Sequence, residues 1–139
     1  MKVSVKSDYA CRAVKALALH HPAERPLRIE DIARQGSIPS NYLVQILIEL
    51  KSKGLIRSRR GKAGGYVLAK APRDITVGDV LRAVNGDILE LSSLVTSACP
   101  QEIQQVWGRI KTAVEGIADG VTFEQICAEA TGRTQMYYI

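Results

Sequence analysis

The chain holds only three cysteines, Cys11, Cys99 and Cys127, and no C-x-x-C pair among them. An odd number at such wide spacing excludes a disulfide framework and, by spacing, a zinc site. Histidine is scarcer, with His20 and His21 adjacent in "HHP". Neighbours in a helix point about 100° apart, so this pair does not readily share one ion, and no metal site is expected. The P-loop is also missing. "GKAGG" (61–65) offers glycines and a lysine, but not as G-x-x-x-x-G-K-[ST], and a strand pattern rather than a helix follows. With no dinucleotide fingerprint and no nucleophile, base and orienting group, no catalytic residue is expected and the chain does not read as an enzyme. Nor is there an uncharged apolar run of about 18 residues, which excludes a membrane-spanning helix. The N-terminal "MKVSVKSDYACRAVKALA" carries an arginine and a lysine inside its apolar part, which spoils a signal-peptide core. A cytoplasmic address is the expectation.

What is present is unevenly charged. The 139 residues are 46% hydrophobic and 24% charged, enough for one compact domain or a small domain with an extension. Residues 1–74 hold 15 Lys and Arg against 6 Asp and Glu, a net of +9. Residues 75–139 hold 4 against 8, a net of −4. The first half therefore reads as a binder of polyanions and the second does not.

Hydrophobic spacing divides the basic half into helices and a hairpin. From Ser7 to His20, Ala10, Ala13, Val14 and Leu17 recur at helical intervals, and "HHP" ends the run. "LRIEDIARQG" predicts a short helix with Ile29, Ile32 and Ala33 on one face and Gly36 as its stop. After the four-residue joint "SIPS", "SNYLVQILIELKSKG" carries Leu43, Ile46, Leu47 and Leu50 on one stripe, with Gly54 ending it. Two helices joined by so short a turn are a helix-turn-helix signature. Beyond Gly54 the period becomes that of strands. "LIRSR" and "GYVLA" flank "RGKAGG", a hairpin that makes the motif a winged one. Gly61, Gly64 and Gly65 allow a tight turn and close backbone approach. Arg59, Arg60 and Lys62 lie where long cations reach phosphates or a minor groove.

The third helix has an outer face of Ser40, Asn41, Val44, Gln45, Ile48 and Glu49. Ser40 and Asn41 at its N-terminus suit phosphate contact, Gln45 can bond an adenine edge, and Val44 can meet a thymine methyl. Val44 and Ile48 have the alternative of packing against a neighbouring helix. Tyr42 is either a phosphate-contacting hydroxyl or a half-buried staple.

In the acidic half, Thr76 and Asp79 form a capping-box pattern ahead of Val77, Val80, Leu81 and Val84, predicting a further helix. Asp87 to Cys99 has no clear period and reads as a loop. From Pro100 to about Ala118, the residues Ile103, Val106, Trp107, Ile110, Val114 and Ile117 form one long apolar stripe that needs a partner surface. "VTFEQICAEA" adds a short helix capped by Thr122 and Gln125. The tail "TGRTQMYYI" yields no pattern.

The run from "IEDIARQG" through the wing "L-x-x-x-G-L-I-x-S-x-R-G-x-x-G-G-Y-x-L" to "I-T-V-G-D-V-L-R-A-V" resembles the Rrf-two family of bacterial transcription regulators, which includes IscR, NsrR and CymR. The resemblance covers nearly the whole chain. It implies a mainly α fold with a small β-hairpin wing: a winged helix-turn-helix domain over residues 1–74, and a linker helix, loop and dimerisation helices over 75–139. It implies a homodimer, self-associating through the stripe from Ile103 to Ile117, that binds double-stranded DNA at a palindromic operator as a repressor. A regulatory protein or a small-molecule effector is the implied partner in control, and an adaptor role under such a protein is one alternative. Several members hold an iron–sulfur cluster with three cysteines between the wing domain and the long helix. Here only Cys99 stands in that segment, so no cofactor is expected. The alternative is an iron–sulfur or thiol-based sensor gated at Cys99. Cys11 and Cys127 fall on or beside apolar stripes, where cysteine is usually a small core residue.

Overall fold

A first helix faced with small side chains sets the frame. The structure, a computed structural model, describes residues 3–22, 25–95 and 97–137, with side chains as far as Gly132 except that of Val95. Helix α1 (Val5–Leu19) starts at Ser4, whose hydroxyl accepts the Ser7 amide, and turns Ala10, Ala13, Val14 and Leu17 inward, all fully buried. Alanines at the contact keep interhelical distances short. Three more helices, α2 (Ile29–Gly36), α3 (Ser40–Ser52) and α4 (Val77–Asn85), pack around this one rod.

The stop of α2 differs from the expected one. Gly36 is the last helical residue, and Ser37 takes the left-handed conformation at φ 52°. Gly36 serves closeness instead, since a β-carbon there would lie 2.7 Å from the Ile38 side chain. Ile38 fills the turn between α2 and α3 and is buried, while Arg12 of α1 donates to the carbonyls of Gly36 and Ser37 at 3.3 and 3.5 Å. Gly54, after α3, does take positive φ at 75°. The apolar stripe of α3 is driven into the core, with Leu43, Ile46, Leu47 and Leu50 at most 1% exposed.

Strands β1 (Ile56–Arg59) and β2 (Gly65–Leu68) pair antiparallel from Ile56↔Leu68 to Arg59↔Gly65. Leu27, just ahead of α2, adds a bridge to the free edge of β2, with its amide donating to the Tyr66 carbonyl at 3.0 Å and its carbonyl accepting the Tyr66 amide at 2.8 Å. Gly65 lies against this bridge so closely that a β-carbon would collide with the Leu27 carbonyl oxygen.

The Thr76–Asp79 capping box forms, with reciprocal bonds of 3.0 and 3.1 Å, and opens α4. The loop to Cys99 contains one 3-10 turn, Ser92–Val95. Helix α5 (Gln101–Gly120) packs along α4, and the chain then turns through a second capping box at Thr122 and Gln125 into α6 (Phe123–Tyr137). This last helix is longer than the short one expected and takes in most of the patternless tail. It packs back on α1 and on the Pro72–Asp74 turn, with Phe123 fully buried and Ile126 and Cys127 against the core, and that docking supports a segment whose own periodicity is weak. Ile75, Val80, Val84 and Phe123 thus share one core with Leu43 and Leu47. The joint is sewn by backbone bonds, Val77 amide to Val121 carbonyl at 2.9 Å and Phe123 amide to Ile75 carbonyl at 3.0 Å.

The Gly65 contact generates a stability prediction. Gly65→Ala should cost about 1–3 kcal/mol in urea denaturation, because the Leu27 backbone must move to admit a methyl group. Unchanged stability would mean the junction of wing and α2 is looser than described.

Candidate nucleic-acid interface

Burying Leu43, Ile46, Leu47 and Leu50 leaves α3 with an outer face of Asn41, Val44, Gln45 and Ile48, spaced i, i+3, i+4, i+7, and all four are exposed. Val44 is 51% exposed and Ile48 56%, so neither packs against a neighbouring helix of its own chain. Ser40 and Asn41 occupy the first turn, after Pro39 as N-cap. Tyr42 is 46% exposed, and its ring meets that of Tyr9 edge-on at 5.4 Å between centroids. Arg12 in turn lies 5.3 Å from the Tyr9 ring centre. Tyr42 is therefore a half-exposed ring braced against α1.

Gln45 has a partner that the pattern did not predict. Its Nε2 donates to Glu49 Oε1 at 3.3 Å, and the same oxygen accepts Lys6 Nζ from α1 at 2.7 Å. Glu49 Oε2 is buried and has no hydrogen-bond partner. The carboxylate is thus held down toward α1, and the Gln45 amide leans on it.

Beside this face stands the wing. Arg57, Arg59, Arg60 and Lys62 are exposed, as are Lys51 at the end of α3 and Lys70 just past β2. None of these six pairs with a carboxylate among the described residues, whereas Lys6, Arg12, Arg34, Arg82 and Lys111 all do. Lys51, Arg57, Arg60 and Lys70 converge on a cleft between the end of α3 and the hairpin. Lys51 and Lys70 were not singled out from sequence, and their nearest signal was the charge excess of the basic half. The turn of the wing is tied down by Arg28, whose Nη2 donates to the Lys62 carbonyl at 2.8 Å. Gly61 has φ 104°, and a β-carbon on Gly64 would lie 2.5 Å from the Arg59 carbonyl oxygen.

On α5, Ile103, Val106, Trp107, Ile110 and Ile117 are 38–72% exposed, and Val114 is half-buried. Their stripe is apolar and is left uncovered by the other described residues.

A helix-turn-helix with an exposed outer face, beside a cationic two-stranded hairpin, defines a winged-helix DNA-binding protein. The Rrf2 family model, described as an iron-dependent transcriptional regulator, matches residues 3–129 of this chain. The chain belongs to the Rrf2 family. It is 33% identical to the HTH-type transcriptional regulator CymR of Bacillus subtilis (strain 168) over 137 residues, 99% of this chain and 97% of that relative. The solved structure of B. subtilis CymR, described as that organism's global cysteine regulator, superposes with a TM-score of 0.79 at 31% identity, covering 93% of this chain and 98% of the other. T. potens IscR superposes with a TM-score of 0.74 at 35% identity, covering 94% and 88%. The chain is a DNA-binding transcriptional regulator of the HTH type, and both the resemblance and the mainly helical winged fold expected from sequence are borne out.

The iron in that family description can be tested on the donors present. A cluster takes four protein ligands. Cys99 alone stands between α4 and α5, with its Sγ 3.7 Å from the Pro100 carbonyl oxygen. Cys11 and Cys127 pack against the core of the other elements, and among the described residues no three His, Cys, Asp or Glu side chains come together as a metal site. This donor set does not fit an iron–sulfur cluster.

Burial pushes the Cys11 thiol up to about 11, with Asp8 adding to the effect. Burial also raises Cys127, opposed by Lys15. The folded chain holds the Cys11 proton more tightly than the unfolded one does. That contribution to stability is therefore whole below about pH 9 and is lost as pH rises through about 11. Thiolate is the reacting form. At pH 8 iodoacetamide should label Cys11 at least about tenfold more slowly than an unfolded thiol, with peptide mass spectrometry as the readout. Equal rates would place Cys11 in water.

Proposed function

We propose that the chain works as a homodimer that reads a palindromic operator in double-stranded DNA and represses the adjoining promoter. The observation that carries this is the continuity of the uncovered α3 face with six exposed cations that have no carboxylate partner among the described residues. In this reading α3 enters the major groove, with Gln45 and Val44 at base edges and Ser40, Asn41 and Tyr42 on phosphates. Arg59, Arg60 and Lys62 neutralise phosphates or enter the flanking minor groove, and Gly64 and Gly65 keep the wing thin enough to approach. Lys51, Arg57 and Lys70 extend the same electrostatic surface. Residues 1–74 are then the DNA-reading half and residues 75–139 the dimerising half, acting in the cytoplasm without catalysis. A regulatory protein or small-molecule effector sets its occupancy.

Dimerisation rests on the α5 stripe, too apolar to leave in water on a lone protomer. A twofold axis there implies two half-sites on one face of the duplex, about one or two helical turns apart. Ile110→Glu should shift the sedimentation mass from dimer to monomer. A dimer that persists would put the interface elsewhere.

The two kinds of contact respond differently to mutation. Phosphate contacts act on every sequence, so Arg60→Ala should weaken cognate and scrambled duplexes together and reduce the salt slope by about one charge. Base-edge contacts are selective, so Gln45→Ala should cost about 1–3 kcal/mol on the cognate duplex and almost nothing on the scrambled one. Paired titrations at several salt concentrations read both. Equal losses for Gln45→Ala would remove α3 as the base reader.

A further inference from the structure

Two branched aliphatic side chains stand where a DNA-reading surface has no use for solvated hydrocarbon. Val44 and Ile48 lie one turn apart on α3, 51% and 56% exposed, and Gln45 lies beside both. One turn past Ile48, Lys51 shares a cleft with Arg57 and Arg60 of the wing. On the edges that a major groove presents, the apolar feature an aliphatic side chain can cover is the thymine C5 methyl; the other groups are hydrogen-bond donors and acceptors. Gln45 fits the same base pair. With one Nε2 hydrogen directed to Glu49 Oε1, and that oxygen fixed by Lys6, the amide keeps its other N–H and its Oε1 for the N7 and N6 edge of adenine.

We infer that Ile48 is a specificity-determining residue, forming with Val44 an apolar clamp for thymine methyl groups around an adenine read by Gln45, so that the core of each half-site is built of A·T pairs. The inference rests on the reading that α3 enters the major groove.

The test uses the full chain and duplexes it selects from a random library, with each thymine in turn replaced by deoxyuridine, which lacks only the methyl group. At one or two positions per half-site the replacement should weaken wild-type binding about fourfold, equivalent to ~0.8 kcal/mol for one buried methyl. Ile48→Ala or Val44→Ala should bind the thymine and deoxyuridine duplexes alike, while Gln45→Ala should still distinguish them. Both aliphatic positions are on the surface, and thermal melting of the variants confirms that they fold. If wild type binds both duplexes equally, or the loss persists undiminished in both aliphatic variants, the clamp is overturned. In that event a selective Gln45→Ala leaves the base-reading role of α3 standing. If Val44→Ala, Gln45→Ala and Ile48→Ala all weaken selected and scrambled duplexes alike, the clamp falls together with that role.

Discussion

The fold depends on how closely other helices can approach the inner face of α1. Ala10, Ala13 and Val14 are completely buried, and a bulkier side chain at any of them would push α2, α3, α4 or α6 outward. Because α1 and α3 meet through small and medium residues, the stripe of Leu43, Leu47 and Leu50 fixes the rotation of α3 about its own axis. That rotation decides which side chains α3 presents to solvent. Turning α3 by one residue would bury Val44 and expose Leu43. The outer face is thus the complement of the packing face, set by core density rather than by any contact of its own.

Electrostatics sorts the described cations into two sets. Cations that hold the protomer together are paired: Arg12 with Asp8, Lys6 with Glu49, and Arg82 with Asp119 through two bonds of 2.8 Å, with Glu115 nearby. The Arg82 pair draws the Asp119 carboxyl below its usual range and joins α4 to α5. Its energy in water is modest, but its two-point geometry, with the backbone bonds at Val77 and Phe123, fixes the angle between the long helix and α4. Among the described residues the cations of the wing and of the end of α3 have no acid partner, so their mutual repulsion is left to solvent and counterions.

Within a family described by iron dependence, this chain has the scaffold, and among its described residues no three metal-ligating side chains come together. Its half-buried Cys11 is held in the protonated thiol form, which suits a packing role better than a redox one. The segment that carries Cys99 remains the stretch of chain between α4 and α5.

Much of the architecture follows from the sequence itself, because the physics behind it is local. The stripe of α3, the glycine stop at Gly54, the hairpin around "RGKAGG", both capping boxes and the apolar face of α5 depend on residues within one or two turns of each other. What tertiary structure alone decided is non-local. The left-handed stop fell on Ser37 rather than Gly36 because Ile38 has to fold back into the core. Helix α6 is held on α1 and the Pro72–Asp74 turn through Phe123, Ile126 and Cys127, contacts that its weak periodicity does not announce. Ile48 could not be assigned to core or surface until the neighbours of α3 were placed. Lys6 meeting Glu49, Arg28 holding the Lys62 carbonyl, and Lys51 converging with Lys70 join residues 19 to 43 positions apart in the chain. No periodicity records such pairs, since each exists only once the helices around α1 have packed.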